Sequence, residues 1–127
     1  MPDSVKPSRL LLRLEAEIAA APTSVEADCK RAERAAYLAR LGRFDEARAE
    51  LDAIRQRYGR SPQVAVSAWV NFAEGILSYF NNVAVSDDRV QRAHALSVAA
   101  GLRSLQAVCA AWLAQWDCAK LDWDRLA

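Results

Sequence analysis

The chain has 127 residues, enough for one domain with a moderate core. Its 17 basic and 16 acidic residues leave a formal charge of +1, which argues against a protein that binds nucleic acid through its phosphates. No apolar run approaches the roughly 18 residues needed to cross a bilayer, and the N-terminal leucine run is too short and too charged for a secretory signal. Three cysteines within predicted helices indicate reduced thiols in a cytoplasmic protein that contacts no membrane.

Two helices are predicted at the start of the chain. Apolar residues at helical spacing predict the first helix over residues 8–20. Thr23 and Glu26 have the spacing of a capping box, in which each side chain bonds the other residue's backbone amide. This pair predicts that a second helix covers residues 24–41.

A third helix is predicted to fold back against the second. Gly42 ends the second helix, because glycine adopts positive φ at no steric cost, and only Gly42 and Arg43 separate the two helices. Gly59 is predicted to cap the end of the third helix. Its apolar residues recur at steps of three and four: Phe44, Ala47, Leu51, Ile54 and Tyr58.

The next predicted helix, residues 62–80, is the least polar segment of the chain. Ser61 and Pro62 are a favourable helix start, with a hydroxyl cap followed by proline at the first helical position. Apolar residues cover more than one side of this helix, so it should be central, with neighbours on at least two sides. Residues 81–85 break the pattern.

The C-terminal part predicts two more helices. Ser86 or Asp87 can cap a helix over residues 88–100, which Gly101 ends. The last clear helix covers residues 102–120. The tail beyond it is predicted to turn and begin another element that it does not finish.

Apolar positions recur at a spacing of 40 residues. The pattern predicts a half-repeat (8–20), two full hairpins (24–58 and 62–100) and an incomplete third repeat (102–127) within one helical-repeat domain. The matching apolar sets are Cys29, Trp69 and Cys109; Ala32, Phe72 and Trp112; and Ala36, Ile76 and Trp116.

The run of Gly42, Phe44, Asp45, Glu46 and Ala47 resembles the turn of a tetratricopeptide repeat. With its ~40-residue period the chain is most similar to the longer repeats of bacterial signalling proteins and transcription regulators. The resemblance implies an all-α fold of six to seven helices, arranged as a right-handed stack of antiparallel hairpins, a tetratricopeptide-like α-solenoid. It also implies that a protein or peptide binds a concave surface lined by the first helix of each hairpin.

If the first helix of each hairpin lines that groove, eight residues of these helices are candidates for contacting the partner. Their mixed charges do not support a clamp for carboxylates. The competing interpretation is an ordinary solvated helix face. The residues are Lys30, Arg34, Tyr37, Asn71, Glu74, Ser78, Gln115 and Asp117.

The sequence predicts no enzyme, no cofactor and no metal site. His94 is the only histidine, no cysteine pair has zinc-knuckle spacing, and no nucleotide-binding or nucleophile motif is present.

The end of the predicted repeat array carries a separate prediction, because repeat stacks need a polar terminal cap. An uncovered apolar stripe predicts either self-association, as a dimer, or a domain that follows in the same chain. The stripe comprises Leu105, Cys109, Trp112, Trp116 and Trp123.

Three classes of function remain open from the sequence. The first is an interaction or scaffold module, the N-terminal regulatory or sensor part of a larger bacterial signalling protein. The second is a free-standing homodimeric adaptor or chaperone-like protein. The third is a small helical bundle that binds a small molecule in a pocket around Trp69, Phe72 and Trp112.

Overall fold

The computed structural model describes residues 8–126, with side chains from residue 8 to residue 115. Over that range the chain forms six α-helices and no strand, so the predicted all-α class is confirmed. None of these helices is both long and apolar enough to cross a bilayer. They are α1 (Arg9–Ala20), α2 (Ser24–Arg40), α3 (Phe44–Tyr58), α4 (Val64–Ser78), α5 (Val83–Ala100) and α6 (Arg103–Leu126).

The first two helices begin within one residue of their predicted starts. The Ser8 hydroxyl accepts a hydrogen bond from the Leu11 amide at 3.4 Å, and the Thr23 hydroxyl accepts one from the Glu26 amide at 3.1 Å. Each bond satisfies a backbone donor that the first turn of a helix leaves unpaired. The Thr23 bond of the predicted capping box is confirmed, whereas Ser8, predicted as the first residue of its helix, is the cap of that helix.

Gly42 ends α2 in the left-handed conformation, with a φ of 81°. The Arg43 amide donates to the Leu38 carbonyl at 2.9 Å, and the Gly42 amide donates to the Ala39 carbonyl at 3.0 Å. Gly101 ends α5 in the same way, with a φ of 70°. At both turns glycine reverses the chain within two or three residues because it carries no Cβ to clash.

The end of α3 and the start of α4 differ from the prediction. Gly59 has a φ of −52°, so α3 ends without a left-handed residue. The next helix starts at Val64 rather than at Pro62, after an extended Gln63 whose side chain makes no capping bond. The favourable Ser-Pro pair therefore lies in the connection between the two helices.

α5 also starts earlier than predicted, at Val83 rather than near residue 88. The physical reason is the cap: the Asn82 side chain accepts a hydrogen bond from the Val85 amide at 3.1 Å. Ser86, one of the two predicted caps, lies buried inside the helix. The sequence predicts an irregular segment here because Val83 and Val85 have branched side chains, which are mediocre helix formers.

The predicted turn at the end of the chain is wrong. Residues 121–126 continue α6 without interruption. When the tail is matched to the turn at Gly42, Asp122 takes the place of the glycine. Because aspartate does not adopt positive φ as readily as glycine, the match lacks the residue that makes the turn.

α4 lies at the centre of the structure and packs against α2, α3 and α5, as its apolar residues predict. Small side chains let the α2 and α4 backbones approach closely. Those of α2 are Ala32, Ala35, Ala36 and Ala39; those of α4 are Ala68 and Ala73.

α4 and α5 approach each other closely at Gly75. A Cβ at this position would lie 2.7 Å from Cγ2 of Val90 and 3.3 Å from the Ser86 carbonyl oxygen. The Ser86 hydroxyl donates a hydrogen bond of 2.6 Å to the Gly75 carbonyl oxygen. These two helices are therefore joined by direct packing of side chain against backbone.

Candidate functional site

A buried carboxylate joins the start of α2 to the end of α3. Asp28 is 1% exposed and accepts hydrogen bonds from Arg57 at 2.5 Å, Arg31 at 2.7 Å and Tyr58 at 2.7 Å. Burial raises the pKa of Asp28, and the bonds from Arg57, Tyr58 and Arg31 more than offset this, so that the pKa lies below its ordinary value. Asp28 is fully engaged in the fold and has a structural role.

A second set of ion pairs holds α3 between α2 and α4. Arg34 of α2 pairs with Glu50, and Glu74 of α4 pairs with Arg55. Arg34 and Glu74 lie 40 residues apart, so the two hairpins use the same position with opposite charge. Glu74 also pairs with Arg89 of α5 at 3.2 Å.

The first turns of three helices surround a cleft of about 490 Å³. Three of its lining residues, Val25, Ala65 and Leu105, lie 40 residues apart on α2, α4 and α6. Cys29 and Trp69, also 40 apart, are partly buried in its wall. We call this opening the three-helix cleft; Glu26, Lys30 and residues 101–104 complete it.

The charges at the three-helix cleft differ in how far they are neutralised. Lys30 pairs with Glu17 of α1 at 3.2 Å and with Glu33 at 3.6 Å. Glu26 of α2 and Arg103 of α6 are exposed, and neither forms an ion pair with another side chain between residues 8 and 115. The cleft therefore has an apolar interior with one unneutralised acid and one unneutralised base on different helices.

The three-helix cleft is suited to binding. Burial, and then the nearby carboxylates of Asp28 and Glu26, raise the pKa of the Cys29 thiol to about 11. The thiol therefore stays protonated at neutral pH, whereas a nucleophilic cysteine needs a lowered pKa. Among the described residues no group of three His, Cys, Asp or Glu side chains could hold a metal ion. Apolar surface with a few polar groups at the edge is typical of binding sites.

Four of the predicted groove residues line three separate openings. Lys30 lines the three-helix cleft, whereas Arg34 lines a separate opening between α1, α2 and α3. Glu74 and Ser78 lie together in a third opening, between α3, α4 and α5. Of these four residues, Glu74 and Ser78 are the two that share an opening.

Tyr37, Asn71 and Gln115 lie in different local surroundings. The Tyr37 hydroxyl accepts a hydrogen bond from Ser8 at 3.0 Å, which places it beside the start of α1. The Asn71 amide donates to the Ser67 carbonyl one turn back at 2.8 Å. Gln115 is exposed on α6, and the side chain of Asp117 lies outside the described residues.

Part of the predicted self-association patch lies inside the fold. Leu105 and Cys109 are 1% and 0% exposed, so they are not available to a second copy. Trp112 is half-buried and contacts the ring of Tyr79, with 5.5 Å between ring centroids. The side chains of Trp116 and Trp123 lie outside the described residues.

Cys29, Lys30, Trp69 and Leu105 are singled out by the sequence for separate reasons, but nothing in it predicts that they line one cleft. The signal that could have found it is the 40-residue spacing, which aligns Val25, Ala65 and Leu105. Arg103 had no such signal. Arg103 lines the cleft because the turn at Gly101 places the start of α6 beside the starts of α2 and α4.

No protein-family model matches the chain, and comparisons with curated proteins and with solved structures also find no match. The likeness to tetratricopeptide repeats consequently depends on the residues around Gly42 and on the 40-residue spacing.

Proposed function

We propose that this chain is a protein-interaction module that holds a peptide segment of a partner protein in the three-helix cleft. The observation that carries the proposal is the repeated register of Val25, Ala65 and Leu105, which places equivalent positions of three units around one apolar opening. We propose further that the hairpins form a tetratricopeptide-like stack. In such a stack the first helices of successive hairpins line the concave binding surface.

Selection from a phage-displayed library of random peptides tests this proposal. Ala65→Trp fills the three-helix cleft without removing a core side chain, and Ala95→Trp places the same residue on the exposed face of α5 as a matched control. We expect the unmodified protein and Ala95→Trp to enrich a common set of peptides that Ala65→Trp does not bind. Equal binding to all three proteins, or no enrichment by any, contradicts the proposal.

A small apolar ligand is the second candidate, and the size of the cleft favours it. About 490 Å³ lies within the range of small-molecule sites, roughly 300–1,000 Å³. A thermal-shift screen of metabolites distinguishes the two candidates. Stabilisation by a metabolite that Ala65→Trp abolishes, together with a failed peptide selection, supports the small ligand. A signalling role and self-association stay predictions of the sequence.

A further inference from the structure

We infer that the segment bound in the three-helix cleft carries a large apolar side chain flanked by a basic residue on one side and an acidic residue on the other. The inference rests on the proposed peptide-binding function and specifies its partner. It follows from three features of the cleft: its apolar interior, the exposed Glu26 on α2 and the exposed Arg103 on α6.

The interior selects the central residue. Trp69 and Cys29 are only partly buried within the chain, so each leaves apolar surface open to an occupant. Trp69 is held in place by an edge-to-face contact with Phe72, with 6.2 Å between ring centroids. A partner side chain that covers these groups removes apolar surface from water on both molecules.

The rim selects the flanking charges. Lys30 already has two carboxylate partners, Glu17 and Glu33, and adds little preference. Glu26 and Arg103 have none among the described side chains, so a bound segment can pair with each at no cost to an existing ion pair. The basic flank of the segment lies towards α2, and the acidic flank lies towards α6.

Charge reversal at one rim position at a time tests the inference in the same peptide selection. Glu26→Lys makes both rim charges positive and should enrich apolar residues with acids on both sides. Arg103→Glu makes both negative and should enrich apolar residues with bases on both sides. The unmodified protein should enrich mixed flanks. Because exposed ion pairs are weak, each reversal should change the Kd of a given peptide by about two- to five-fold.

The Kd of selected synthetic peptides, measured by fluorescence polarisation at low and high salt, completes the test. We expect the differences between variants to shrink at high salt, because salt screens exposed charges. If all three selections enrich peptides with the same flanking residues and Ala65→Trp still binds none, the inference about flanking charges is wrong and the peptide-binding function stands. Peptides that also bind Ala65→Trp overturn both.

Discussion

Two successive helix pairs, the hairpins α2–α3 and α4–α5, differ in the contacts that join their helices. In the first, charged side chains make the connections: Asp28 binds Arg57 and Tyr58 across the two helices, and Arg34 pairs with Glu50. Buried apolar side chains of both helices, among them Leu38, Leu51 and Ile54, belong to one hydrophobic core.

In the second hairpin the backbones themselves come close. Gly75 faces Val90 and Ser86, and the side chain of Val90 is fully buried. Two successive helix pairs of one chain are therefore joined by different sets of interactions. The second hairpin also has an ion pair, Glu74 with Arg89, but its tightest packing depends on the absence of a single methyl group at Gly75.

Replacing the buried carboxylate of Asp28 should destabilise the first hairpin more than any other change considered below. We expect Asp28→Ala to lower the free energy of unfolding by about 3 kcal/mol, because a buried charge pair loses its acceptor. Arg57 and Arg31 can still reach water, which keeps the loss at the lower end of the range for such pairs. Urea unfolding followed by circular dichroism measures it. Arg57→Ala and Tyr58→Phe should each cost less, and a loss under 1 kcal/mol for Asp28→Ala would mean that the network is not structural.

Adding one methyl group should break the second hairpin. We expect Gly75→Ala to destabilise the protein by about 2 kcal/mol, since overpacking against buried Val90 outweighs the better helix propensity of alanine. Val90→Ala removes the clashing methyl groups. The double variant should therefore lose less stability than the two single variants together. Strict additivity in urea unfolding would contradict the steric account.

The turns at Gly42 and Gly101 should respond to substitution in the same way, unlike the contacts between the helices of the two hairpins. A Cβ on Gly42 or Gly101 meets no atom within 4 Å, so alanine adds only backbone strain at positive φ. We expect each substitution to cost about 1 kcal/mol. Thermal unfolding of Gly42→Ala and Gly101→Ala measures the loss. Asparagine, which tolerates this conformation better, serves as the control and should cost less.

Much of the fold could be predicted from the sequence, because its signals are local. Gly42, Gly101, Ser8 and Thr23 each act on the backbone within a few residues, and each does what its residue type predicts. The start of α5 was missed because Asn82 was assigned to a loop, although asparagine is among the best helix caps.

The candidate site was harder to predict because it depends on distances between helices. The resemblance to helical repeats predicts that Arg34 and Glu74 line one groove. In the structure each side chain forms an ion pair with α3, and the two residues line different openings. The 40-residue spacing aligns Val25, Ala65 and Leu105, but it does not show that the helix starts leave room between them. That space is a property of three-dimensional packing.

Acid should weaken the first hairpin by protonating Asp28, and this is the smallest effect that we expect, because the neutral carboxyl keeps its position and some of its hydrogen bonds. The folded protein holds the Asp28 pKa below its ordinary value. The carboxylate therefore contributes its full stability above the unfolded pKa of about 4, and the contribution falls as the pH drops through the folded pKa. Asp28→Asn removes the titrating group, while the other acids titrate in both proteins. The difference in unfolding free energy between the unmodified protein and Asp28→Asn should be constant from about pH 5 to pH 7 and shrink below about pH 4. A difference that stays constant or grows down to pH 3 would show that Asp28 gains nothing from its charge, and the contrast between a charged and a steric hairpin would fail.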